Sequence, residues 1–262
     1  MEQSKIDNIM RSAIFITARM KSKRLPKKLL IPIKDKTVIE HLIDRLKLAK
    51  LPDLIILCTS TNSNDDVLAE IAKKNKIECF RGSEDDVLER FREAASLFSI
   101  DFIAVTWGDE LFCDPEYIDK TIELFKKTNA DFIKCDDLPL GAFNYGLKVE
   151  ALKRVCQMKT EKDTEVWGNY FLKSNIFDVK TLEIDDEELK HPEIRITLDY
   201  PEDLELVKKI FDRLYIPGKV FTLREIIKLL KKEPQLAEIN KGVQKSYEEH
   251  LKESAPAKIK KI

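Results

Sequence analysis

A chain of 262 residues with 43% hydrophobic composition holds enough apolar material for one large α/β domain with an appendage. Lys and Arg number 46 against 47 Asp and Glu, a formal net charge of -1, so the whole molecule lacks the electrostatic footprint of a nucleic-acid binder. No apolar stretch approaches bilayer length, and the first residues, with Glu2, Lys5, Asp7 and Arg11, hold no apolar signal core, which predicts a cytoplasmic protein without membrane contact.

The run Ala13-Ile14-Phe15-Ile16-Thr17 is short, apolar and β-prone, and predicts a first strand over 13–17. Directly after it, the stretch from Ala18 to Lys28 packs Arg19, Lys21, Lys23, Arg24, Lys27 and Lys28 into one loop. In open α/β sheets ligands bind at the carboxyl ends of the strands, and several fixed cations there suggest a polyphosphate. Thr37-Val38-Ile39-Glu40 has the capping-box pattern, and Val38, Ile39, Leu42, Ile43, Leu46 and Leu48 recur at the spacing of an apolar helical face. Further strands are expected at 54–59, 77–80, 101–106 and 131–135. Helices open between them after Ser63-Asn64-Asp65-Asp66, Ser83-Glu84-Asp85-Asp86 and Asp114-Pro115, where Asx or Ser caps, first-turn acids or an early proline occur. This alternation predicts a mainly parallel sheet flanked by helices.

Beyond residue 136 the pattern is less regular. Leu138-Pro139-Leu140-Gly141 reads as a turn, 148–157 and 164–173 as short helices, and 178–184 and 194–198 as strands. Asp199-Tyr200-Pro201-Glu202-Asp203 opens a helix through about Leu214, and Thr222-Leu223-Arg224-Glu225 caps another ending near Pro234. The stretch from Gly242 onward is charged and reads as mobile. The five cysteines are scattered singly, without a C-x-x-C, and read as reduced, mostly buried thiols; His41, His191 and His250 suggest neither a metal cluster nor a nucleophile relay.

Asp109 and Asp199 each follow a predicted strand, so both carboxylates emerge at a strand terminus, and if those strands run with the first they face the basic loop. Two carboxylates opposite a polyphosphate cradle suit Mg²⁺, which takes oxygen ligands and is commonly held by one or two carboxylates plus substrate phosphates. Either aspartate taken singly reads first as a helix cap or first-turn acid, and only the combination with the loop favours a metal site.

Ala18-Arg19 followed by Ser22, Arg24-Leu25-Pro26 and Lys28 resembles the nucleotide-binding loop of the sugar cytidylyltransferases, the group of the 3-deoxy-manno-octulosonate, acylneuraminate and spore-coat-polysaccharide enzymes. Matches continue in order: Thr59-Ser60-Thr61-Asn62, Phe80-Arg81-Gly82-Ser83-Glu84-Asp85-Asp86-Val87-Leu88, Gly108-Asp109 with Asp114-Pro115, Asp199-Tyr200-Pro201-Glu202-Asp203-Leu204, and Glu233-Pro234-Gln235-Leu236 through Ile239-Asn240. The resemblance covers roughly 13–241 and is strongest to the spore-coat type. It implies a Rossmann-like nucleotidyltransferase fold, a homodimer, and Mg²⁺-dependent transfer of CMP from CTP to a sugar or polyol-type acceptor with release of pyrophosphate, for a surface polysaccharide or related conjugate. On the same resemblance Ala18, Arg19, Ser22, Arg24 and Lys28 bind the triphosphate. Arg24 and Lys28 act at the transferred phosphate, Asp109 and Asp199 carry the metal, and Arg81, Ser83 and Asp85 approach base and ribose. Ser83 and Asp85 serve equally as helix cap and first-turn acid.

Departures mark what is particular to this chain. Lys27 stands where the resemblance expects glycine and suggests an altered loop shape, Leu111 where it expects proline, and Trp107 where small polar residues are usual; Trp107 either stacks on a ligand or packs as a core indole. Tyr145 with Gly146 matches a family turn near the acceptor. The segment 163–171 differs from the family, so Glu165, Trp167 and Tyr170, together with Tyr145, are the candidate acceptor contacts. The competing reading makes this segment a dimer-arm helix with its aromatic residues in the core. Use of another nucleotide or of a sugar-phosphate acceptor, or a non-catalytic nucleotide-binding role, are the alternatives. The expected organisation is a lead over 1–12, a nucleotidyltransferase domain over 13–215 with an acceptor and dimer region at 136–185, a helical extension at 220–241 and a charged tail at 242–262. Lys28, read as an exposed loop residue, is expected to affect turnover far more than folding.

Overall fold

The computed structural model describes residues 10–253 and Lys258; the remainder of the expected lead and tail lies outside the described residues. In chain order the elements are β1 (Ser12–Thr17), β2 (Pro32–Ile33), β3 (Lys36–Thr37), α1 (Val38–Leu46), β4 (Leu54–Ser60), α2 (Asp66–Lys74), β5 (Glu78–Gly82), α3 (Val87–Phe98), β6 (Phe102–Trp107) and α4 (Pro115–Thr128). They continue with β7 (Phe132–Lys134), β8 (Tyr145–Lys148), α5 (Val149–Met158), α6 (Asn169–Leu172), β9 (Val179–Thr181), α7 (Pro201–Leu214), α8 (Leu223–Lys232) and α9 (Gln244–Glu253).

Seven strands form one sheet in the order β5-β4-β1-β6-β8-β7-β9, while β2 and β3 make a separate small hairpin. Strands β5, β4, β1 and β6 are mutually parallel, β8 runs antiparallel to both its neighbours, and β9 pairs parallel with β7. Only β8 is therefore reversed, and the mainly parallel α/β fold expected from the alternating pattern is present. Because β1 lies between β4, which follows it in the chain, and β6, which comes later, the connections leave to opposite sides there. This is the topological switch at which open α/β sheets form a ligand crevice.

Strands buried on both faces become near-continuous apolar runs, and β1 shows why. Ile14 and Ile16 pack against α1, α2, α4, α7 and α8 on one face, whereas Ala13 and Phe15 pack against α3, α5 and the 167–171 segment on the other. The helix openings follow local chemistry. The Thr37–Glu40 capping box starts α1, the Asp86 carboxylate accepts from Glu89 N at 3.1 Å to start α3, and Asp114 accepts from Glu116 N at 2.9 Å ahead of Pro115 in α4. Val38, Ile39, Leu42, Ile43 and Leu46 are all buried, but Leu48 lies past the end of α1 and is exposed.

Four expectations change. The 194–198 run forms no strand; it makes an isolated parallel bridge from Arg195 to Leu140, because its neighbour is the 138–142 turn rather than a strand of the sheet. The 164–173 helix is confined to α6 and the 178–184 strand to β9. The segment after Gly242, read as mobile, forms α9 over Gln244–Glu253.

Gly141 allows the 138–142 turn to meet the 194–198 segment. Its φ is +102°, and an added Cβ would fall 2.5 Å from Thr197 N. Both left-handed backbone strain and a backbone collision follow from substitution, so Gly141→Ala is expected to lower unfolding stability by about 3 kcal/mol, as read from urea denaturation.

Candidate active site

The carboxyl ends of β1, β4, β5 and β6 share one edge, and the loops after them converge there. Gly108 N donates to Thr17 O at 2.9 Å, locking the start of the β6 loop to the end of β1; a side chain at Gly108 would crowd Ala18 and Leu29. The basic loop is fixed from beneath. Buried Asp65 accepts from Met20 N at 2.7 Å and from the Ser60 hydroxyl, and buried Arg90 reaches Ser83 O at 2.7 Å and Thr17 Oγ1 at 3.1 Å.

At the centre, Lys28 Nζ bridges two aspartates. It pairs with Asp109 Oδ2 and donates to Asp199 Oδ1 at 2.9 Å, while Arg24 Nη2 donates to the same Asp199 oxygen at 2.7 Å. The Lys28 side chain is only 12% exposed, so the expectation of an exposed lysine is corrected: the loop folds back over the sheet edge and lays its ammonium on two covered carboxylates. Burial pulls the Lys28 pKa down, but Asp109 and Asp199 outweigh it and the net shift is upward. Burial likewise pushes Asp199 up, yet Lys28, Arg24 and Arg195 bring it below the ordinary carboxylate value. Asp109 shares only Lys28 and faces Asp199, so burial dominates and its pKa rises.

Several supporting groups were not read from the sequence. Arg195 forms a fork onto Asp203, with Nε to Oδ1 and Nη2 to Oδ2 both at 2.9 Å, and its Nη2 also reaches Asp199 Oδ2 at 3.3 Å. Glu110, buried beside Asp109, is pushed well above the usual range chiefly by burial, and accepts from Thr106 Oγ1 at 3.2 Å and Trp107 N at 3.3 Å. Asp203 and Asn240 stand within motifs legible in the sequence, but nothing in a linear string reveals that Asn240 Nδ2 lies 2.8 Å from Asp203 Oδ1.

Other sequence-selected residues divide into a nearby group and a packed group. Arg19 donates to Glu84 O at 2.7 Å and pairs loosely with Asp85 at 3.8 Å and Glu165 at 3.5 Å, joining three loops. Arg81 donates to Ser60 O and Asn62 O, each at 2.9 Å, and pairs with Asp66 at 2.7 Å. Ser22 Oγ accepts from Leu25 N at 3.4 Å, and Ser83 Oγ accepts from Asp86 N at 3.1 Å, so each shapes its own turn. Ala18 is buried, and its N–H donates to Cys58 O at 3.2 Å. A cleft of about 630 Å³ beside the loop is lined by Met20, Lys21, Ser22, Pro26, Lys27, Asn62 and Glu84 among others. Lys27 has φ 56° and ψ 26°, the left-handed conformation that glycine adopts without strain.

The aromatic acceptor candidates are corrected by their packing. Trp167 is 1% exposed and Tyr170 3% exposed. Trp167 stacks on Trp107 with centroids 5.9 Å apart and meets Tyr145 edge-on at 5.6 Å, inside the core between the sheet and α3. Their side chains are thus consumed by core contacts, because 167–171 folds inward against β7 and α3; Trp107 is likewise packed. Tyr145 begins the reversed strand β8, which brings it to the site edge, and Glu165 remains largely exposed.

Among the described residues no group of three or more His, Cys, Asp or Glu converges to hold an ion. Asp109 and Asp199 nevertheless fit a hard divalent cation as a partial ligand set, since both already direct an oxygen at one positive atom.

A family model described as cytidylyltransferase matches residues 13–248. The chain is 35% identical over 240 residues to an uncharacterized protein of Methanocaldococcus jannaschii, a match spanning 89% of this chain and 96% of that one. It is 28% identical over 229 residues to the spore coat polysaccharide biosynthesis protein SpsF of Bacillus subtilis, spanning 85% and 95%. A solved cytidylyltransferase from Leptospira borgpetersenii superposes with a TM-score of 0.80 at 26% identity, covering 87% of this chain and 97% of that one. The CMP:2-keto-3-deoxy-manno-octonic acid synthetase complexed with CTP shares the fold, with a TM-score of 0.61 at 14% identity over 78% and 99% of the two chains.

Removing the bridging cation leaves two covered carboxylates facing one another. Lys28→Met is expected to cost about 3 kcal/mol at pH 7. Without Lys28, the raised folded pKa of Asp109 lies further above its unfolded value of about 3.9, so protonation favours the fold and the deficit shrinks as pH falls toward 4. Denaturation of wild type and variant across pH 4–8 checks this; a deficit that grows on acidification contradicts it.

Proposed function

Since this chain belongs to the cytidylyltransferase family, we propose that it transfers CMP from CTP to a sugar or polyol-type acceptor, with Mg²⁺ and release of pyrophosphate, in the cytoplasm and as a homodimer. The single observation that carries the catalytic part is the Lys28 bridge between Asp109 and Asp199 at the switch edge, with Arg24 on the same oxygen. It supports a site that exchanges partners: cations of the loop pass to phosphates, and the carboxylates pass to a divalent cation.

In this reading the acceptor hydroxyl oxygen attacks the α-phosphorus, the bond from phosphorus to the bridging oxygen breaks, and pyrophosphate leaves with the electron pair while the hydroxyl proton is lost to solvent. Lys28 and Arg24 offset the charge that builds on the α-phosphate and the departing group. Arg19 and Ser22 hold the outer phosphates, and Arg81 with Ser83 and Asp85 borders base and ribose. Asp109 and Asp199 would hold Mg²⁺, which when bound screens phosphate charge and acidifies the acceptor hydroxyl.

For the acceptor side, Tyr145 and Glu165 border the region on its edge, while Trp167 and Tyr170 support it from the core. We assign catalysis to 13–215, acceptor recognition and subunit contact to 136–185, and support of the site to the helical extension at 220–241. Because 163–171 departs from the family pattern while the nucleotide loop keeps its cations, CTP use is expected to persist with an acceptor other than the common octulosonate and nonulosonate sugars.

Pyrophosphate release measured with each of the four NTPs against acidic sugars, sugar phosphates and polyol phosphates tests the reading. CTP is expected to give the signal, with Asp109→Asn or Asp199→Asn lowering kcat by roughly 100-fold or more. Turnover with another NTP but not CTP would reassign the base. Efficient transfer to a standard octulosonate would remove the argument about the acceptor.

Separately, Trp167→Ala is expected to destabilise the protein by about 3–5 kcal/mol, as for a large buried aromatic truncated in a core. Thermal unfolding of the variant checks this packing role, and a variant of wild-type stability would return Trp167 to the acceptor site.

A further inference from the structure

A buried relay joins the end of the described chain to the site. Fully buried Asp203, near the start of α7, accepts from Arg195 through both oxygens, from Asp199 N at 2.9 Å, from Tyr200 N at 3.0 Å and from Asn240 Nδ2 at 2.8 Å. Asn240 Nδ2 also donates to Arg195 O at 3.0 Å, so one amide fixes both the backbone of Arg195 and the carboxylate its side chain grips. Tyr247 of α9 covers the guanidinium, with its ring centroid 4.6 Å from Arg195 Cζ. Arg195 Nη1 is buried without a hydrogen-bond partner, and the Tyr247 ring, with the Tyr200 ring farther off at 5.7 Å, supplies an aromatic face to the guanidinium.

What the relay holds is the orientation of one carboxylate. Asp199 Oδ1 takes Lys28 and Arg24, while Oδ2 takes Arg195 at 3.3 Å, the longest of the three contacts. A carboxylate gripped at one oxygen can still rotate about its Cβ–Cγ bond, and the Arg195 contact opposes that rotation from the other oxygen. A shift of the guanidinium would therefore turn Oδ1 away from the point it shares with Asp109.

We propose that Asn240 and Tyr247 are positioning residues which, through Arg195, hold Asp199 in the orientation that accepts the cation accompanying the nucleotide. The inference rests on Asp199 being a cation ligand, as proposed above. Partners one step behind a metal ligand characteristically tune affinity for the ion, and their loss costs about 10–100-fold.

Mn²⁺ titrated into the full chain with CTP, with free Mn²⁺ read by electron paramagnetic resonance, gives a measure independent of turnover. Tyr247→Leu and Asn240→Ala are expected to weaken Mn²⁺ retention roughly tenfold. Affinity for CTP without a divalent cation, read by calorimetry, stays within about twofold, since neither residue is placed on the nucleotide. Tyr247→Phe keeps the ring and retains wild-type Mn²⁺ binding. Thermal unfolding identifies which variants are folded, and Tyr247→Leu, at a partly exposed helix position, carries the test should Asn240→Ala unfold. Unchanged Mn²⁺ binding in folded Tyr247→Leu overturns the relay, as does an equal loss of cation-free CTP binding. Asp199→Ala separates the two levels. If it too retains Mn²⁺, the reading of Asp199 fails; if it loses Mn²⁺ while the relay variants do not, only the relay fails.

Discussion

The Asp199 carboxylate accepts from three cations that come from distant parts of the molecule: Lys28 and Arg24 from the loop after β1, and Arg195 from the segment before α7. A covered carboxylate is costly without partners, and each partner here is itself largely covered. The sheet edge, the 18–28 loop and the start of α7 are consequently bound to one another through charge. Asp109, Asp199 and Asp203 balance Lys28, Arg24 and Arg195, so any one removal leaves a charge without compensation. Glu110, beside Asp109, is held well above its usual pKa chiefly by burial.

Apolar packing determines where this charged cluster can exist. The two faces of β1 feed separate cores, and the helices on both sides leave only the strand ends open to loops. One reversed strand modifies that edge: β8 places Tyr145 where a parallel strand would place its last residue. Tyr145 and Trp107 then form the rim of an aromatic cluster whose interior is Trp167, Phe132 and Phe171. The segment 163–171, read as departing from the family pattern, is thus anchored by packing through Trp167 and Phe171, while Glu165 stays exposed.

Sequence reveals features whose cause is local or periodic. Strands β1, β4 and β6 were legible as apolar runs because both their faces are buried, and the starts of α1, α3, α4 and α8 because their caps are chemical events within four residues. The loop cations and Asp109 were legible through strand-end position and resemblance, whereas Asp199 was legible through resemblance alone, since the 194–198 run before it forms no strand. Strand β8 was hidden because Gly146 interrupts its alternation, a glycine required by Phe102 and Thr121 lying within 2.7 Å of any added Cβ. Helix α9 was hidden because its residues are mostly polar and Tyr247 meets Arg195 only once the chain has folded. The role of Arg195 could not be read at all, since its partners are 4, 8 and 45 positions away and become neighbours only when the chain has folded.

Sequence distance also sets the order in which this site can come into being during synthesis. Lys28 and Asp199 are separated by 171 positions, and Arg24 and Asp199 by 175. At a synthesis rate of about 5–20 residues per second, the loop is made roughly 10–30 s before its principal counter-charge. Lys28 gains Asp109 after 81 positions and Arg19 gains Asp85 earlier still, whereas Arg24 waits for Asp199. Asn240 follows Arg195 by a further 45 positions. Support of the site is therefore completed by a stretch made well after its charges, so a chain interrupted between them would hold Lys28 beside Asp199 and lack the amide that fixes Arg195.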